Sequence, residues 1–151
     1  MLFLLPRPPR LEPTPKQIRI EFAGVVIADT TNAYRILETS HPPTYYIPLA
    51  DIQRQYLEPS RLTTFCEWKG HGNYYSVVVG EKRLSDVGWF YSSPTPDFAS
   101  IANYVAFYAG PMDACYVDNE IVIPQPGNYY GGWITKDIVG PFKGEPGSTR
   151  W

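Results

Sequence analysis

Apolar and polar residues alternate through much of the central chain, which is the pattern of half-buried β-strands. Residues 18–22 alternate, Ala23-Gly24 interrupts them, and residues 25–28 resume the apolar pattern. This arrangement predicts a β-hairpin. Residues 114–117 and 120–123 predict a second hairpin around Asp118-Asn119. Further strands are predicted in four other segments with aromatic and β-branched character: 34–38, 45–47, 73–79 and 84–91.

One segment has the spacing of a helix rather than a strand. Thr95 stands where a cap is expected, Pro96 suits a first helical turn, and Gly110-Pro111 would end the helix. Between them, six apolar residues share one helical face: Phe98, Ile101, Ala102, Val105, Tyr108 and Ala109. The expected fold is therefore mainly β, built of antiparallel hairpins, with one main α-helix over about 95–109.

Proline and glycine mark both ends of the chain. Residues 1–17 carry five prolines, so this arm is expected to be extended and unable to pair centrally in a sheet. Residues 140–151 are rich in glycine and proline, with Phe142 and Trp151 as apolar anchors. The predicted organisation is an N-terminal arm (1–17), one domain (18–139) and a C-terminal tail (140–151).

Charge and cysteine usage narrow the function classes. The 151 residues carry 13 Lys+Arg and 15 Asp+Glu, and this balance argues against a general binder of nucleic acids or anionic membranes. No apolar run approaches the ~18 residues of a membrane span. Cys66 and Cys115 are read as free thiols in a reducing compartment. We therefore expect a cytoplasmic protein with no nucleic-acid or membrane partner.

Two loops hold side chains that could perform acid-base or thiol chemistry. Glu38 and His41 precede the stiff Pro42-Pro43 pair and could place an acid beside a base, although an exposed turn is the alternative. Cys66 stands three residues before Lys69, whose ammonium could lower the thiol pKa. A buried cysteine beside a surface lysine is the alternative there.

Aromatic residues, 15% of the chain, supply the third cluster. Trp89 and Tyr91 end a predicted strand just before the predicted helix, where they could line an apolar pocket. Plain core packing explains them equally well, since large rings bury much apolar area.

Four motifs in order resemble a small bacterial family of unknown function that is labelled nucleotidyltransferase-like. They are Arg35-Ile-Leu-Glu38-Thr, His41-Pro-Pro-Thr-Tyr45-Tyr46-Ile-Pro48, Cys66-Glu-Trp-Lys69-Gly70, and Trp89-Phe-Tyr91, and the likeness spans roughly residues 18–123. The resemblance implies a β-tent fold, shared with methionine sulfoxide reductase B, glutathione-dependent formaldehyde-activating enzymes and the ligand-binding domain of cereblon.

This chain also departs from the pattern that the resemblance implies. β-Tent relatives typically carry paired Cys-x-x-Cys zinc knuckles, but here Lys69 stands where the second thiolate of the Cys66 knuckle would be, and no second knuckle is present. Structural zinc is therefore not expected, and Cys115 departs from the aromatic residue expected at its position. The label implies nucleotidyl transfer, but the sequence has no compact acidic motif for Mg²⁺.

Three functions remain open. The first is a small-molecule domain for a nucleotide-like or other heterocyclic ligand, bound by Arg35, Glu38, Tyr46, Trp68, Lys69, Trp89 and Tyr91. The second is an enzyme that uses Cys66 and Lys69, with His41 or Glu38 moving protons and no cofactor or metal. The third is a structural protein whose terminal arms join two copies as a homodimer.

Overall fold

The fold is an assembly of short antiparallel strands. The computed structural model describes residues 9–126 and 131–138. Within these residues the strands are Arg10–Thr14 (β1), Ile18–Phe22 (β2), Val25–Thr30 (β3), Ala33–Leu37 (β4), Thr44–Tyr46 (β5), Leu57–Cys66 (β6), Gly70–Val79 (β7), Lys82–Phe90 (β8), Ala106–Phe107 (β9), Ala114–Val117 (β10), Glu120–Ile121 (β11), Ile123–Pro124 (β12) and Trp133–Ile134 (β13). In the same described residues, three short 3₁₀ helices occupy Leu49–Asp51, Arg54–Tyr56 and Pro96–Ile101.

The strands form four antiparallel sheets in the described part of the chain. Their strand orders are β1-β4-β5, β11-β10-β2-β3, β12-β13 and β6-β7-β8-β9. The predicted class, a mainly β fold of antiparallel hairpins, is confirmed.

The β2–β3 hairpin shows why the alternation predicted strands correctly. Ile18, Ile20 and Phe22 are buried while the residues between them are half-exposed. Ala23 and Gly24 both have positive φ, 53° and 79°, as a type I′ hairpin turn requires. Gly24 reaches this conformation at little cost because it has no Cβ.

The predicted α-helix over 95–109 is wrong. Only Pro96–Ile101 is helical, as a 3₁₀ helix in which Phe98 departs to φ −116°. Asn103 then adopts φ 64°, which ends helical geometry. Val105, Ala106 and Phe107 are all buried, with Ala106 on the opposite side of the strand from the other two, and β9 pairs with β8. Sheet pairing thus overrode a periodicity that suits both structures.

The predicted cap at Thr95 is also absent. Thr95 precedes the 3₁₀ helix but makes no side-chain cap hydrogen bond. Its Oγ1 instead donates to the Trp68 carbonyl at 2.5 Å, which ties this loop to the β6–β7 turn.

The proline-rich arm contributes an edge strand. β1 pairs with β4 over residues 10–14, with Pro13 inside it, and an edge is where a strand tolerates proline. The described part of the arm is therefore part of a sheet over residues 10–14. The predicted tail at 140–151, with Phe142 and Trp151, lies outside the described residues.

Two hydrophobic clusters form the core. The main cluster is largely aliphatic and includes Ile18, Ile20, Ile27, Ile47, Val77, Phe107, Cys115 and Trp133. The small cluster consists of Ile36, Tyr46, Tyr91, Phe98, Ile101 and Ala106, with half-buried Trp89 and Cys66 packed against it. The two clusters meet at β5, where Tyr45 belongs to the main cluster and Tyr46 to the small one.

Candidate functional site

A cleft of about 380 Å³ opens beside the small cluster. The loop after β4, the end of β6, the turn before β7 and the end of β8 converge on it. Its described lining residues are Glu38, His41, Thr44, Tyr46, Thr64, Phe65, Cys66, Lys69, Tyr74, Trp89, Tyr91, Tyr108, Gly131 and Gly132. The volume is in the range of small-molecule sites.

Lys69 and Glu38 form an ion pair in the wall of the cleft. Lys69 Nζ lies 2.6 Å from Glu38 Oε1, and the lysine side chain is 8% exposed against 31% for the glutamate. Burial alone would lower the pKa of Lys69, but the carboxylate of Glu38 raises it above its ordinary value. Lys69 is therefore a buried ammonium, and the reading of it as a surface lysine is wrong.

Backbone contacts hold Lys69 in place. Its N–H donates to the Cys66 carbonyl at 3.2 Å, closing the turn after β6, and its own carbonyl accepts the Thr95 N–H at 3.1 Å. Gly70 follows with φ 105°. A glycine is suited to this position because other residues rarely adopt such a φ.

Aromatic side chains form another part of the cleft wall. Trp89 Nε1 donates to the Tyr46 hydroxyl at 3.1 Å, and the Tyr46 and Tyr91 ring centroids are 6.4 Å apart. Trp89 also packs against Tyr108 at 4.8 Å. Burial raises the pKa of both Tyr46 and Tyr91, so their hydroxyls stay protonated and can donate hydrogen bonds to a ligand.

His41 and Cys66 complete the ionisable groups. The backbone N–H of His41 donates to the Glu38 carbonyl at 3.1 Å and forms the turn after β4. The ring Nδ1 of His41 lies 3.2 Å from Gln125 Nε2. Cys66 is half-buried at the end of β6. The cleft therefore brings a thiol, an imidazole and an ion pair into one space.

Seven of the nine predicted site residues line the cleft: Glu38, His41, Tyr46, Cys66, Lys69, Trp89 and Tyr91. The structure places Arg35 elsewhere, because β4 pairs with β1 and Arg35 Nε contacts Glu12 Oε1 at 2.6 Å. Trp68 is 38% exposed in the turn after β6 and contributes its carbonyl to Thr95 rather than a ring to the cleft.

Several lining residues have no local sequence signal. Thr64 and Tyr74 approach each other at 3.3 Å across the β6–β7 pair, and β6 itself was not predicted because its alternation is weak. A Cβ added to Gly131 would lie 2.3 Å from the Trp89 ring, so this glycine lets the chain pass over the aromatic wall. The Gly131-Gly132 doublet is the one signal that could have indicated this approach.

A neighbouring cavity of about 400 Å³ shares Tyr108, Gly131 and Gly132 with the cleft. The carboxylate among its described lining residues, Asp86, accepts a hydrogen bond from the Ser60 hydroxyl, which links β8 to β6. The cleft is the stronger candidate because the thiol, the imidazole and the lysine converge there. Across the described ranges, no three His, Cys, Asp or Glu side chains form a group suited to a metal.

Comparison with known families places the chain in a family without an assigned activity. The sequence model of the domain of unknown function DUF427 matches residues 10–118, so the chain belongs to that family. No curated protein matches it at a level that indicates a relative. None of the helices in the described residues is long and apolar enough to cross a membrane.

Proposed function

We propose that this chain is a small-molecule binding domain whose ligand enters the cleft at Lys69, Glu38 and the tyrosine wall. The observation that carries the proposal is the buried Lys69–Glu38 pair in the same cleft as Tyr46, Tyr91 and Trp89. Ligand pockets typically combine an apolar, aromatic lining with a few placed polar groups. We also propose a cytoplasmic location, on the basis of the two free thiols.

The charges favour a planar, uncharged heterocycle over a phosphate-bearing ligand. Lys69 is the one lysine or arginine among the described lining residues, and Glu38 already neutralises it. A polyphosphate would therefore meet little net positive charge. A nucleobase or cyclic amide, in contrast, could stack on the rings and offer its donor and acceptor atoms to the ion pair and the tyrosine hydroxyls.

Thermal unfolding in the presence of ligands tests this proposal. We expect nucleobases, nucleosides or cyclic imides to raise the Tm, and inorganic triphosphate to leave it unchanged. Tyr91→Phe keeps the ring but removes the hydroxyl, and it should weaken binding about tenfold. Tyr116→Phe, outside the described lining residues, is the matched control. If no member of a broad heterocycle set moves the Tm, the proposal fails.

A second candidate function is enzymatic, because Cys66 shares the cleft with Lys69, Glu38 and His41. Cys66 would be the nucleophile or redox thiol. Cys115 provides an internal reference, since its side chain is buried in the main cluster and burial raises its pKa to about 12. We expect an alkylating reagent to modify Cys66 in the folded protein and to reach Cys115 only on unfolding. Protection of both thiols would contradict an enzyme of this kind.

A further inference from the structure

β6 is an unusually open edge. It is the outer strand of the β6-β7-β8-β9 sheet, and no described residue pairs with its outer side. Leu62 and Phe65 are 43% and 68% exposed. Proteins usually protect such edges with proline, bulges or charges. Here Pro59 and the register shift between Pro59 and Thr63 protect the first half, while residues 63–66 pair regularly with β7.

We propose that two copies of this chain pair β6 to β6, antiparallel, around a two-fold axis at Thr64. In this register Thr63 faces Phe65 of the second copy, Leu62 faces Cys66, and Arg61 faces Glu67. Each contact occurs twice because the interface is isologous. The two four-stranded sheets become one continuous sheet of eight strands.

The complementarity of β6 with itself is the reason for choosing a second copy as the partner. Arg61, in the register shift, and Glu67, in the turn directly after β6, lie three residues before and after Thr64, so the pairing brings opposite charges near each other at both ends of the regular segment. Between these charged residues, apolar Leu62 of one copy would contact half-buried Cys66 of the other. Centring the axis on Leu62 instead would bring Pro59, which has no N–H, into the new ladder.

The pairing would also extend the cleft. Thr64, Phe65 and Cys66 all line the cleft, and Thr64 and Cys66 share one face of β6, while the Phe65 ring packs on His71 of β7, at 5.1 Å. Leu62 of the second copy would therefore lie beside Cys66 at the rim, and both clefts would open on one face. This inference does not depend on the identity of any ligand.

Charge exchange tests the interface. Sedimentation velocity of the full chain should show a dimer, and Arg61→Glu or Glu67→Arg should each raise its dissociation constant at least about tenfold, because like charges then meet twice. The double variant Arg61→Glu/Glu67→Arg restores the pairs and should dimerise nearly as the unaltered chain does. Lys82→Glu, exposed at the start of β8, is the control. Circular dichroism establishes that each variant is folded.

Cross-linking tests the register. Cysteine at a two-fold axis lies opposite its own copy, so Thr64→Cys in a Cys66→Ser background should form an intermolecular disulfide under mild oxidation. Lys82→Cys in the same background should not. A monomeric unaltered chain, a dimer indifferent to both charge reversals, or an absent Thr64→Cys cross-link would each overturn the proposal. A dimer that requires residues 140–151 and ignores Arg61→Glu would assign the interface to the tail.

Discussion

The main cluster and the small cluster differ in what their side chains carry. The main cluster is filled by Ile18, Ile20, Ile27 and Val77, which have no polar side-chain atoms. The small cluster instead holds Tyr46 and Tyr91, packs against Trp89, and borders the buried ammonium of Lys69. The first cluster supplies mainly close packing, whereas the second places polar atoms at the edge of an apolar space.

This difference separates the residues that stabilise the fold from those available to a ligand. An aliphatic cluster gains its free energy from buried area and dispersion, so a methylene removed there is a direct loss. A tyrosine at a cleft contributes a ring to the core and a hydroxyl to whatever enters. Substitutions in the two clusters should therefore affect stability and binding in different proportions.

The largest expected effect lies in the main cluster. Ile20 is 0% exposed on β2, so Ile20→Ala should leave a cavity and lower the free energy of unfolding by about 2–5 kcal/mol. Urea unfolding followed by circular dichroism measures the loss. Any ligand that raises the Tm of the unaltered chain should raise that of the variant by a similar amount, because Ile20 is not among the described cleft residues. A smaller ligand-induced rise in Tm in the folded Ile20→Ala variant would contradict the conclusion that the two clusters have separate roles.

A smaller loss is expected from breaking the ion pair beside the small cluster. Glu38→Gln leaves the Lys69 ammonium buried without its carboxylate, and should cost about 3 kcal/mol near neutral pH. Glu58→Gln is the matched control, since the Arg83–Glu58 pair, at 2.8 Å, has both side chains about half-exposed. Such exposed pairs contribute little, so urea unfolding should barely distinguish this variant from the unaltered chain.

The pH dependence of the same two proteins sharpens this prediction. In the unaltered chain the pKa of Lys69 is raised, so the stability it contributes is present at neutral pH and is lost as the pH rises beyond the unfolded value of about 10.4. In Glu38→Gln the largest effect that raises this pKa is gone and burial lowers it, so the stability of the variant relative to the unaltered chain should increase with pH until about 10.4. If the free energy of unfolding changed with pH in the same way in both proteins, Glu38 would not stabilise the Lys69 ammonium.

The thiol of the main cluster gives a third, smaller effect. Burial raises the pKa of Cys115 to about 12, while an unfolded cysteine ionises near 8.5. Unfolding therefore releases a proton above about pH 8.5, and stability should fall as the pH rises from there. Cys115→Ala should cost about 1–2 kcal/mol at pH 7 and flatten the profile between about pH 8.5 and 10. Val117→Ala, on the same strand, should lower the free energy of unfolding but leave its dependence on pH between about 8.5 and 10 unchanged.

The sequence predicted the part of the fold that depends on local alternation. The β2–β3 hairpin follows from apolar alternation and a turn that tolerates positive φ, and both signals are local. β6 depends on pairing with β7, and residues 105–107 depend on β5 and β8, so their own patterns were weak or misleading. Long-range pairing decided these segments.

The candidate site was predictable where its ionisable residues lie close together along the chain. The sequence places Glu38 beside His41 in one loop and Cys66 beside Lys69 in another, and the fold brings both pairs to one cleft. Arg35 is predicted as a polar contact of the pocket, but its partner is Glu12 on the neighbouring strand β1. The direction in which a strand residue points, and the partner strand beside it, are set by register, which single-chain patterns do not specify.

Two adjacent tyrosines provide the most specific test of the difference between the main cluster and the small cluster. Tyr45 packs on Trp133 in the main cluster, at 5.5 Å, and Tyr46 accepts the Trp89 N–H at the cleft. Tyr46→Phe and Tyr45→Phe each remove one buried hydroxyl, so each should cost about 1 kcal/mol in urea unfolding. Only Tyr46→Phe should also weaken a cleft ligand, measured by calorimetric titration, because only its hydroxyl lies at the cleft. Equal losses of affinity in the two variants would mean that the clusters act as one unit, and that the cleft is not confined to the small cluster.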